Sequence, residues 1–281
     1  MTRSNFSKSV CLLVLTGAAA VCWKFTARPV SAAEGIPVSK EMAAAAKPIS
    51  TEEEVDLGRE VAANVAAQFG IYQNEALTEY VNMVGLTVAM SAPRKDVTYR
   101  FAILNSDAVN AFAAPGGYIF VTKGLLSILQ DEAQLAGVLG HEIAHVTQKH
   151  VIKEIQKSRM AKAMIPGYVK AAAEKAEYMS QITDTAIQML WKGLSREDEL
   201  ESDRVGVEYA RAAGYDAVSF KEVLEMLKAR AGEPDKSKQL RFFLSTHPKP
   251  EDRLKAVAQK IDSFPSGGEK LKERFASSAK L

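Results

Sequence analysis

The segment His141-Glu142-Ile143-Ala144-His145 limits the possible fold and chemistry of this chain more than any other segment. It places two histidines and a glutamate at a fixed helical spacing. On a helix, positions i and i+4 share a face, so both imidazoles can reach one metal ion. Glu142 lies about 100° further round the helix and can approach a water molecule beside the metal. The pattern predicts a helix that carries two zinc ligands and a general base, as is typical of metalloproteases.

A third ligand must come from elsewhere, because catalytic zinc usually has three protein ligands and an open fourth position. Glu199 and Asp203 stand at i and i+4 in a segment that favours helix formation, so both would face the same way. Glu199 can supply a carboxylate ligand. Asp203 can accept a hydrogen bond from the distal N–H of a ligating histidine, with His141 the favoured partner. A solvated helix face would show the same acidic run, so the residues alone leave both interpretations open.

Further motifs accompany HEIAH in a fixed order: Asn110-Ala111-Phe112-Ala113, Pro115-Gly116-Gly117, Gly124-Leu125, Ser195-Arg196-x-x-Glu199-x-x-x-Asp203 and His247-Pro248. From about residue 50 to 262 the chain resembles the zinc metallopeptidase family of the prenyl protein protease, HtpX and BepA, and especially its soluble periplasmic members. The resemblance implies one Zn²⁺ per chain on His141, His145 and Glu199, with Glu142 as general base. Ser202 stands where many relatives have alanine, a departure that puts nothing central in doubt.

The two remaining histidines have to be considered separately. His150 lies nine residues after His141, which on a continuous helix turns it about 180° away from that ligand, so we interpret it as non-ligating. His247 precedes Pro248 in a loop before the predicted helix 251–261. There it can donate to an oxyanion, occupy the open position of the metal, or simply close the loop against the core. We include His247 among the candidate catalytic residues with these three roles open.

The remaining patterns predict a mainly helical α+β fold, a zincin-type metalloprotease domain with a small sheet beside the HEIAH helix. Ser50-Thr51-Glu52-Glu53 is a capping box, which marks a helix start. The expected elements are helices over 51–69, over 75–90 and from 131 onward, and strands over 97–104 and 118–122 joined through the turn-rich segment 110–117. The first turns of the HEIAH helix are apolar nearly all round, so this helix must be buried.

The strand over 118–122 also suggests where a substrate would bind. An edge strand can pair with an extended peptide through main-chain hydrogen bonds, and we expect this strand to do so, with residues 110–114 flanking the cleft. The candidate substrate-binding residues are Asn110, Ala111, Phe112, Ala113, Tyr118, Ile119 and Phe120.

Residues 1–32 have the composition of an export signal. They contain four basic residues and no acidic residue around the apolar run 10–23, and Val30-Ser31-Ala32 has the small-x-small ending that signal peptidase prefers. The run is too short to span a bilayer comfortably. We therefore expect a cleaved signal and a periplasmic location. The alternatives are an uncleaved membrane anchor and a lipoprotein modified at Cys22, while a mitochondrial presequence fits the compact apolar run less well.

Beyond the signal, we predict a linker rich in Ala, Pro and Lys over 33–49, a metalloprotease domain over 50–265 and a polar C-terminal tail over 266–281. The segment 151–193 is expected to be helical and amphipathic with a break at Pro166-Gly167, and its charges argue against a membrane span. It is either a lid or partner-binding helix, or an ordinary packing helix, which we favour.

The charge balance argues against a nucleic-acid partner. The chain has 36 basic and 34 acidic residues, and loss of the four basic residues of the leader leaves 32 against 34. No basic cluster is interleaved with aromatic residues. Both cysteines, Cys11 and Cys22, lie in the leader, so the stability of a mature protein must come from packing and zinc rather than from disulfides.

These observations predict a zinc-dependent metalloendopeptidase of the cell envelope that hydrolyses unfolded or misassembled polypeptides in protein quality control. An envelope membrane or an outer-membrane assembly factor is a further candidate partner. The alternative is a zinc-stabilised, chaperone-like binding module whose site is closed or inactive. Loss of Glu142 or a fourth permanent ligand such as cysteine would indicate that alternative, and neither is seen.

Overall fold

The elements before and after the HEIAH helix are arranged around it. The computed structural model describes residues 40–164 and 175–281. Its helices are α1 (Lys40–Ala46), α2 (Thr51–Phe69), α3 (Glu75–Ser91), α4 (Lys123–Leu126), α5 (Glu132–Thr147), α6 (His150–Ala163), α7 (Lys175–Lys192), α8 (Arg196–Ala212), α9 (Val218–Ala231), α10 (Pro234–Thr246), α11 (Pro250–Ile261) and α12 (Lys272–Ser278). Its strands are β1 (Arg100–Leu104), β2 (Ala111–Ala114) and β3 (Tyr118–Thr122). The mainly helical α+β prediction is confirmed.

Side-chain caps fix the starts of the helices that build the site. The capping box predicted at Ser50 is present: its hydroxyl accepts from Glu53 N at 3.2 Å, and Ser50 N donates to Glu53 Oε2 at 2.9 Å. Asp131 caps α5, and Ser195 caps α8. Each cap accepts a hydrogen bond from a backbone N–H that the first helical turn leaves unpaired. The two helices expected to carry ligands therefore begin where their sequences specify.

The sheet has the strand order β1-β3-β2, with β1 parallel and β2 antiparallel to β3. Two expectations were wrong. The segment 110–117 is not only a turn, because Ala111–Ala114 forms β2 before a 3-10 turn at Pro115–Gly117. Strand β3 is also not an edge strand, since both of its sides are occupied by neighbouring strands. Its backbone groups are therefore already paired, and a substrate cannot add to it.

The sheet lies between two apolar clusters because successive side chains of a strand point to opposite faces. In β3, Ile119 and Val121 pack into the cluster that contains residues of α3, α5, α8 and α9. Phe120 packs into the second cluster, with residues of α2, α6 and α7. Helix α5 is therefore covered by the sheet, by α3 and by α8, and every residue from Glu132 to Val146 is buried.

The segments around this core differ from the expected linker and tail. Residues 40–46, inside the expected linker, form α1, because their Ala-rich sequence favours a helix, and α1 contacts α6. The expected polar tail carries α12, whose Phe275 is buried. Arg274 of α12 pairs with the buried Glu132 at the start of α5, which also accepts hydrogen bonds from Tyr80 at 2.8 Å and Tyr215 at 2.7 Å.

Two other expectations fall partly on residues that are not described. The export signal, residues 1–32, and the proposed helix break at Pro166-Gly167 lie outside the described ranges. On either side of that break, α6 and α7 are helical as expected. Within residues 40–164 and 175–281, no helix combines the length and the apolar character needed to cross a membrane.

Candidate metal centre

Helices α5 and α8 bring the three expected ligands together in a buried triangle. His141 Nε2 and His145 Nε2 lie 3.0 Å apart. Glu199 of α8 approaches both, with Oε1 3.4 Å from His145 Nε2 and Oε2 3.6 Å from His141 Nε2. All three side chains are at most 5% exposed. The i, i+4 spacing on α5 and the crossing of α8 over α5 thus place three potential ligand atoms around one point.

The donor set fits a zinc ion. A tetrahedral zinc with bonds of about 2.0–2.1 Å has neighbouring ligand atoms about 3.3 Å apart, close to the separations found here. Glu199 Oε2 is buried and has no hydrogen-bond partner among the described residues. An ionised, buried oxygen without a partner is costly, and a cation between it and the two imidazoles would remove that cost. Two histidines and one carboxylate are also a ligand set of catalytic zinc sites.

The ring nitrogen of His141 that does not face the other ligands, Nδ1, contacts a buried ion pair between Asp203 and Arg253. This nitrogen lies 2.9 Å from Asp203 Oδ1, and Arg253 of α11 donates to the same carboxylate through Nε at 2.9 Å and Nη2 at 2.6 Å. Burial and the Arg253 guanidinium lower the pKa of His141, but hydrogen bonds with Asp203 and Glu199 outweigh them and raise it to about 9. In the neutral ring that binds a metal, the contact with Asp203 places the one proton on Nδ1 and leaves Nε2 as the ligand atom.

Arg253 was missed by sequence reasoning. It lies six residues beyond His247, in a helix whose other charged residues are largely exposed. A signal existed in the periodicity, because Arg253 shares the buried face of α11 with Pro250 and Val257. A charged residue on a buried helix face that is otherwise apolar usually has a partner of opposite charge, and here that partner is Asp203.

Glu142 is placed to act as a base. It lines one cavity with His145, Glu199 and His247, and one of its oxygens lies within 4.8 Å of ring nitrogens of both His141 and His247. Burial raises the pKa of Glu142 to about 7. A carboxylate with such a pKa can both accept and return a proton near neutral pH.

His145 differs from His141 in its surroundings. Burial lowers the pKa of His145 well below its ordinary value of 6.5, although Glu199 opposes this shift. The ring is therefore neutral, as a metal ligand must be. Its Nδ1 faces His150 rather than a carboxylate, at 3.0 Å. A continuous helix through residue 150 would turn His150 away from the site, and the sequence therefore did not predict this contact. In the structure α5 ends at Thr147 and α6 begins at His150.

His247 lines the same cavity. Its Nε2 is 3.9 Å from Glu199 Oε2, and its ring stacks on Phe243 with centroids 4.6 Å apart. The Nδ1 atom is 2.9 Å from Thr246 Oγ1, which orients the ring. Burial lowers the pKa of His247 to about 4, so the ring is neutral at physiological pH. This position suits a donor to an oxyanion as well as a group that occupies the open position of the metal. The choice between these two roles stays a prediction.

The candidate substrate-binding residues divide into two groups. Ala111, Phe112 and Ala113 of β2 line the cavity beside Glu142. Asn110 is fully buried next to them, where its side-chain amide donates to Thr246 Oγ1 at 3.3 Å. The prediction that residues of β3 bind substrate assumed an edge strand. That assumption was wrong, because Tyr118, Ile119 and Phe120 belong to the central strand. Strand β2 is the edge strand on the side of the site.

Helix α7 forms another wall of the cavity. Met189 and Leu190, in its last turns, line the same cavity as Glu142. Trp191 packs edge-on against Phe112 of β2, with ring centroids 5.9 Å apart. The end of α7 therefore contacts both the cavity and the edge strand. Its role as a lid or as an ordinary packing helix stays a prediction.

A second buried ion pair, also missed from the sequence, fixes the C-terminal end of α5. Arg94 Nη1 and Nη2 each lie 2.7 Å from a carboxylate oxygen of Glu54. Arg94 also donates to Val146 O at 3.1 Å, and Glu54 accepts from Gly116 N at 3.1 Å. Such bidentate pairs have a fixed geometry. The pair therefore ties the end of α5 to α2 and to the turn between β2 and β3.

Known proteins are similar in sequence to a large part of this chain. The family model described as Peptidase family M48 matches residues 75–261, which include every candidate ligand. The beta-barrel assembly-enhancing protease of Escherichia coli (strain K12) is 29% identical over 185 residues, covering 63% of this chain and 37% of the relative. The putative beta-barrel assembly-enhancing protease of Vibrio cholerae is 29% identical over 202 residues, covering 69% of this chain and 41% of the relative.

A eukaryotic relative is also similar to this chain. The mitochondrial metalloendopeptidase OMA1 of Arabidopsis thaliana is 31% identical over 172 residues, which make up 61% of this chain and 33% of the relative. The chain thus spans between 33% and 41% of the length of these three relatives.

Proposed function

Because the chain belongs to peptidase family M48, we propose that it is a zinc-dependent metalloendopeptidase that hydrolyses peptide bonds. The observation that carries the proposal is the buried triangle of His141, His145 and Glu199 with Glu142 beside it. Three protein ligands leave a fourth position for water or substrate, whereas a structural zinc site is closed by four protein ligands. The donor set therefore favours catalysis over a purely structural metal.

Each contact of the site then has a chemical task. Zinc, when bound, supplies Lewis-acid polarisation of the scissile carbonyl and activation of water. Glu142 accepts the proton of the attacking water and later donates it to the leaving amine, for which a pKa of about 7 is well matched. Asp203 keeps the His141 proton on Nδ1, and Arg253 balances the charge of Asp203. The side chains of His141, His145 and Glu199 are buried, and charges interact more strongly in such surroundings than in water.

The proposed substrate is an extended polypeptide. It would pair with the outer edge of β2 through main-chain hydrogen bonds, since this strand lines the cavity and, among the described residues, has a neighbouring strand on one side only. Main-chain pairing is insensitive to side chains, so it suits a broad range of unfolded chains. The small side chains of Ala111 and Ala113 leave room beside Glu142 for the scissile bond.

The proposed setting is the cell envelope, where the enzyme would remove unfolded or misassembled proteins. The bacterial relatives are described as beta-barrel assembly-enhancing proteases, which suggests proteins of outer-membrane assembly as partners. The composition of residues 1–32 supports export to the periplasm. The relatives named as mitochondrial proteins give a second setting, for which the compact apolar run of the leader is less suited.

The test compares the wild-type protein with its Glu142→Gln variant. Zinc content and degradation of an unfolded test protein are measured for both. We expect about one zinc per chain in each protein, and hydrolysis by the wild type alone, because glutamine cannot accept the proton of water. Equal hydrolysis by the variant would remove Glu142 as the base. Zinc binding without hydrolysis by the wild type would favour the chaperone-like alternative instead.

A further inference from the structure

The contact between His145 and His150 depends on a single strained residue. Lys149 has φ 55° and ψ 37°, a left-handed conformation that is uncommon for a residue with a side chain. The chain changes direction there, and α6 starts at His150. As a result the His150 ring is completely buried, with its Nδ1 3.0 Å from His145 Nδ1. On a continuous helix the two rings would point in different directions.

The other nitrogen of His150 faces two carboxylates of α8. His150 Nε2 lies 3.1 Å from Glu201 Oε2 and 3.6 Å from Asp198 Oδ1. An ionised carboxylate can only accept hydrogen bonds, so the proton of a neutral His150 belongs on Nε2. The Nδ1 atom of His150 is then an acceptor. Ser202 Oγ, 3.3 Å from this Nδ1, can also donate to it.

The proton between the two rings follows from this arrangement. Only one proton fits between nitrogen atoms that are 3.0 Å apart. Because His150 Nδ1 accepts, His145 Nδ1 donates, and the lone pair of His145 is left on Nε2. That atom faces His141 Nε2 at 3.0 Å and Glu199 Oε1 at 3.4 Å.

We propose that His150, oriented by Glu201, is a positioning residue that holds His145 in the tautomer able to bind zinc. The inference rests on the proposed zinc site. Under this proposal the two imidazole ligands are oriented in different ways, although the carboxylate at the end of each chain of contacts belongs to α8. His141 is oriented directly by the carboxylate of Asp203, and His145 is oriented by a carboxylate acting through a second imidazole.

Four variants test the proposal. Glu201→Ala removes the carboxylate, and its side chain is 41% exposed, so the fold should tolerate the change. His150→Leu removes the acceptor. His150→Gln is the conservative variant, because its amide can accept from His145 through Oε1 and donate to Glu201 through Nε2. Glu197→Ala is the matched control, an exposed acidic residue on the same helix.

Two quantities are measured: the zinc dissociation constant by chelator competition, and the His145 tautomer from ¹⁵N imidazole shifts in the zinc-free protein. We expect Glu201→Ala and His150→Leu to weaken zinc binding by about 10- to 100-fold. We also expect wild-type His145 to be protonated at Nδ1, and Glu201→Ala to give a mixture of tautomers. His150→Gln should restore most of the affinity, and Glu197→Ala should match the wild type.

Several results would overturn the proposal. One is a wild-type His145 protonated at Nε2 in the zinc-free protein. Another is zinc affinity in Glu201→Ala equal to that of the control. A third is His150→Gln binding zinc as weakly as His150→Leu, which would indicate packing rather than hydrogen bonding. If the wild type binds zinc and these variants do not differ from it, this inference alone fails. If the wild type binds no zinc, the proposed function fails as well.

Discussion

Gly140 and Gly206 are in backbone contact where α5 crosses α8. A Cβ atom on Gly140 would lie 2.5 Å from Gly206 O, and a Cβ atom on Gly206 would lie 2.5 Å from His141 N. No side chain separates the helices at this point. The contact is one residue from His141 on α5 and three residues from Asp203 on α8, so it sets the distance between the helices at the site.

We therefore expect Gly206→Ala to push the two helices apart. The clash is with backbone atoms that cannot rotate away, and inserting extra atoms into a packed core typically costs about 1–3 kcal/mol. Zinc affinity should fall together with stability, as measured by denaturant unfolding and chelator competition. Gly232→Ala is the control, since the nearest atom to its added Cβ is 3.4 Å away. A Gly206→Ala variant as stable as this control would contradict the expectation.

Glu199→Gln should lower zinc affinity and the thermal stability of the zinc-loaded protein together. The amide keeps the shape of the side chain but loses the charge, and zinc that links α5 to α8 adds its binding energy to folding. Zinc content and melting temperature are compared with those of Glu197→Gln, whose side chain is exposed. Unchanged zinc content would remove Glu199 from the ligand set.

Asp203→Asn should weaken zinc binding or activity by about 10- to 100-fold without abolishing the site. Asparagine has no negative charge to hold the His141 proton, and it leaves Arg253 as a buried cation without its carboxylate partner. Stability should fall as well, because a buried charge without a partner is costly. Zinc affinity and unfolding are measured beside Asp262→Asn, an exposed aspartate. Wild-type behaviour would show that the ion pair does not support the ligand.

His247→Ala distinguishes the two chemical roles of this residue. We favour a capping role, in which the imidazole competes with water and substrate for the metal, and Pro248 makes the loop a stiff lid. Activity and self-cleavage should then rise. If His247 instead stabilises the oxyanion, kcat should fall by roughly 100-fold with unchanged zinc content. Turnover and self-cleavage equal to those of the wild type would leave a purely structural residue.

Glu132 predicts a pH dependence of stability that does not involve the metal. Hydrogen bonds from Arg274, Tyr215 and Tyr80 outweigh burial and lower the pKa of Glu132 below its ordinary value of 4.5. A carboxylate with a lowered pKa stabilises the fold above the ordinary value, and this contribution is lost as the pH falls below about 4.5. In Glu132→Gln, stability near pH 7 should therefore be lower, and its decrease in acid smaller.

The measurement for Glu132 is the free energy of unfolding of the zinc-free protein at pH 7 and pH 4, compared between wild type and variant so that the titration of the histidines, present in both, cancels. The variant leaves Arg274 without its carboxylate, so we expect a loss of about 1–3 kcal/mol at pH 7. Equal pH dependence in the wild type and the variant would show that Glu132 does not contribute to acid sensitivity.

The sequence was informative where helical periodicity alone decides the geometry. Positions i and i+4 on α5 and on α8 predicted that His141 and His145 face one point and that Glu199 and Asp203 share a face. Local capping signals predicted the start of α2 in the same way. These features depend on residues within one or two turns of each other, so the chain specifies them locally.

The features that could not be predicted are those set by distant residues or by a single backbone angle. Strand order depends on pairing across the sheet, and the sequence gives no direct sign that β3 lies between its neighbours. Arg253 and Asp203 are 50 residues apart in the chain. The position of His150 follows from the left-handed conformation of Lys149, which a regular helical pattern does not reveal.

Arg253 follows Asp203 by 50 residues in the chain, which has a consequence for when the site can form. While the chain is being synthesised, Asp203 is complete before α11 exists, and burying it beside His141 would leave a charge without its guanidinium partner. Domains generally fold as units once enough of the chain has emerged. A nascent chain that has not yet reached α11 therefore carries the whole HEIAH motif without the balanced charges of its site. Proteolytic competence should thus be acquired only after α11 has been synthesised.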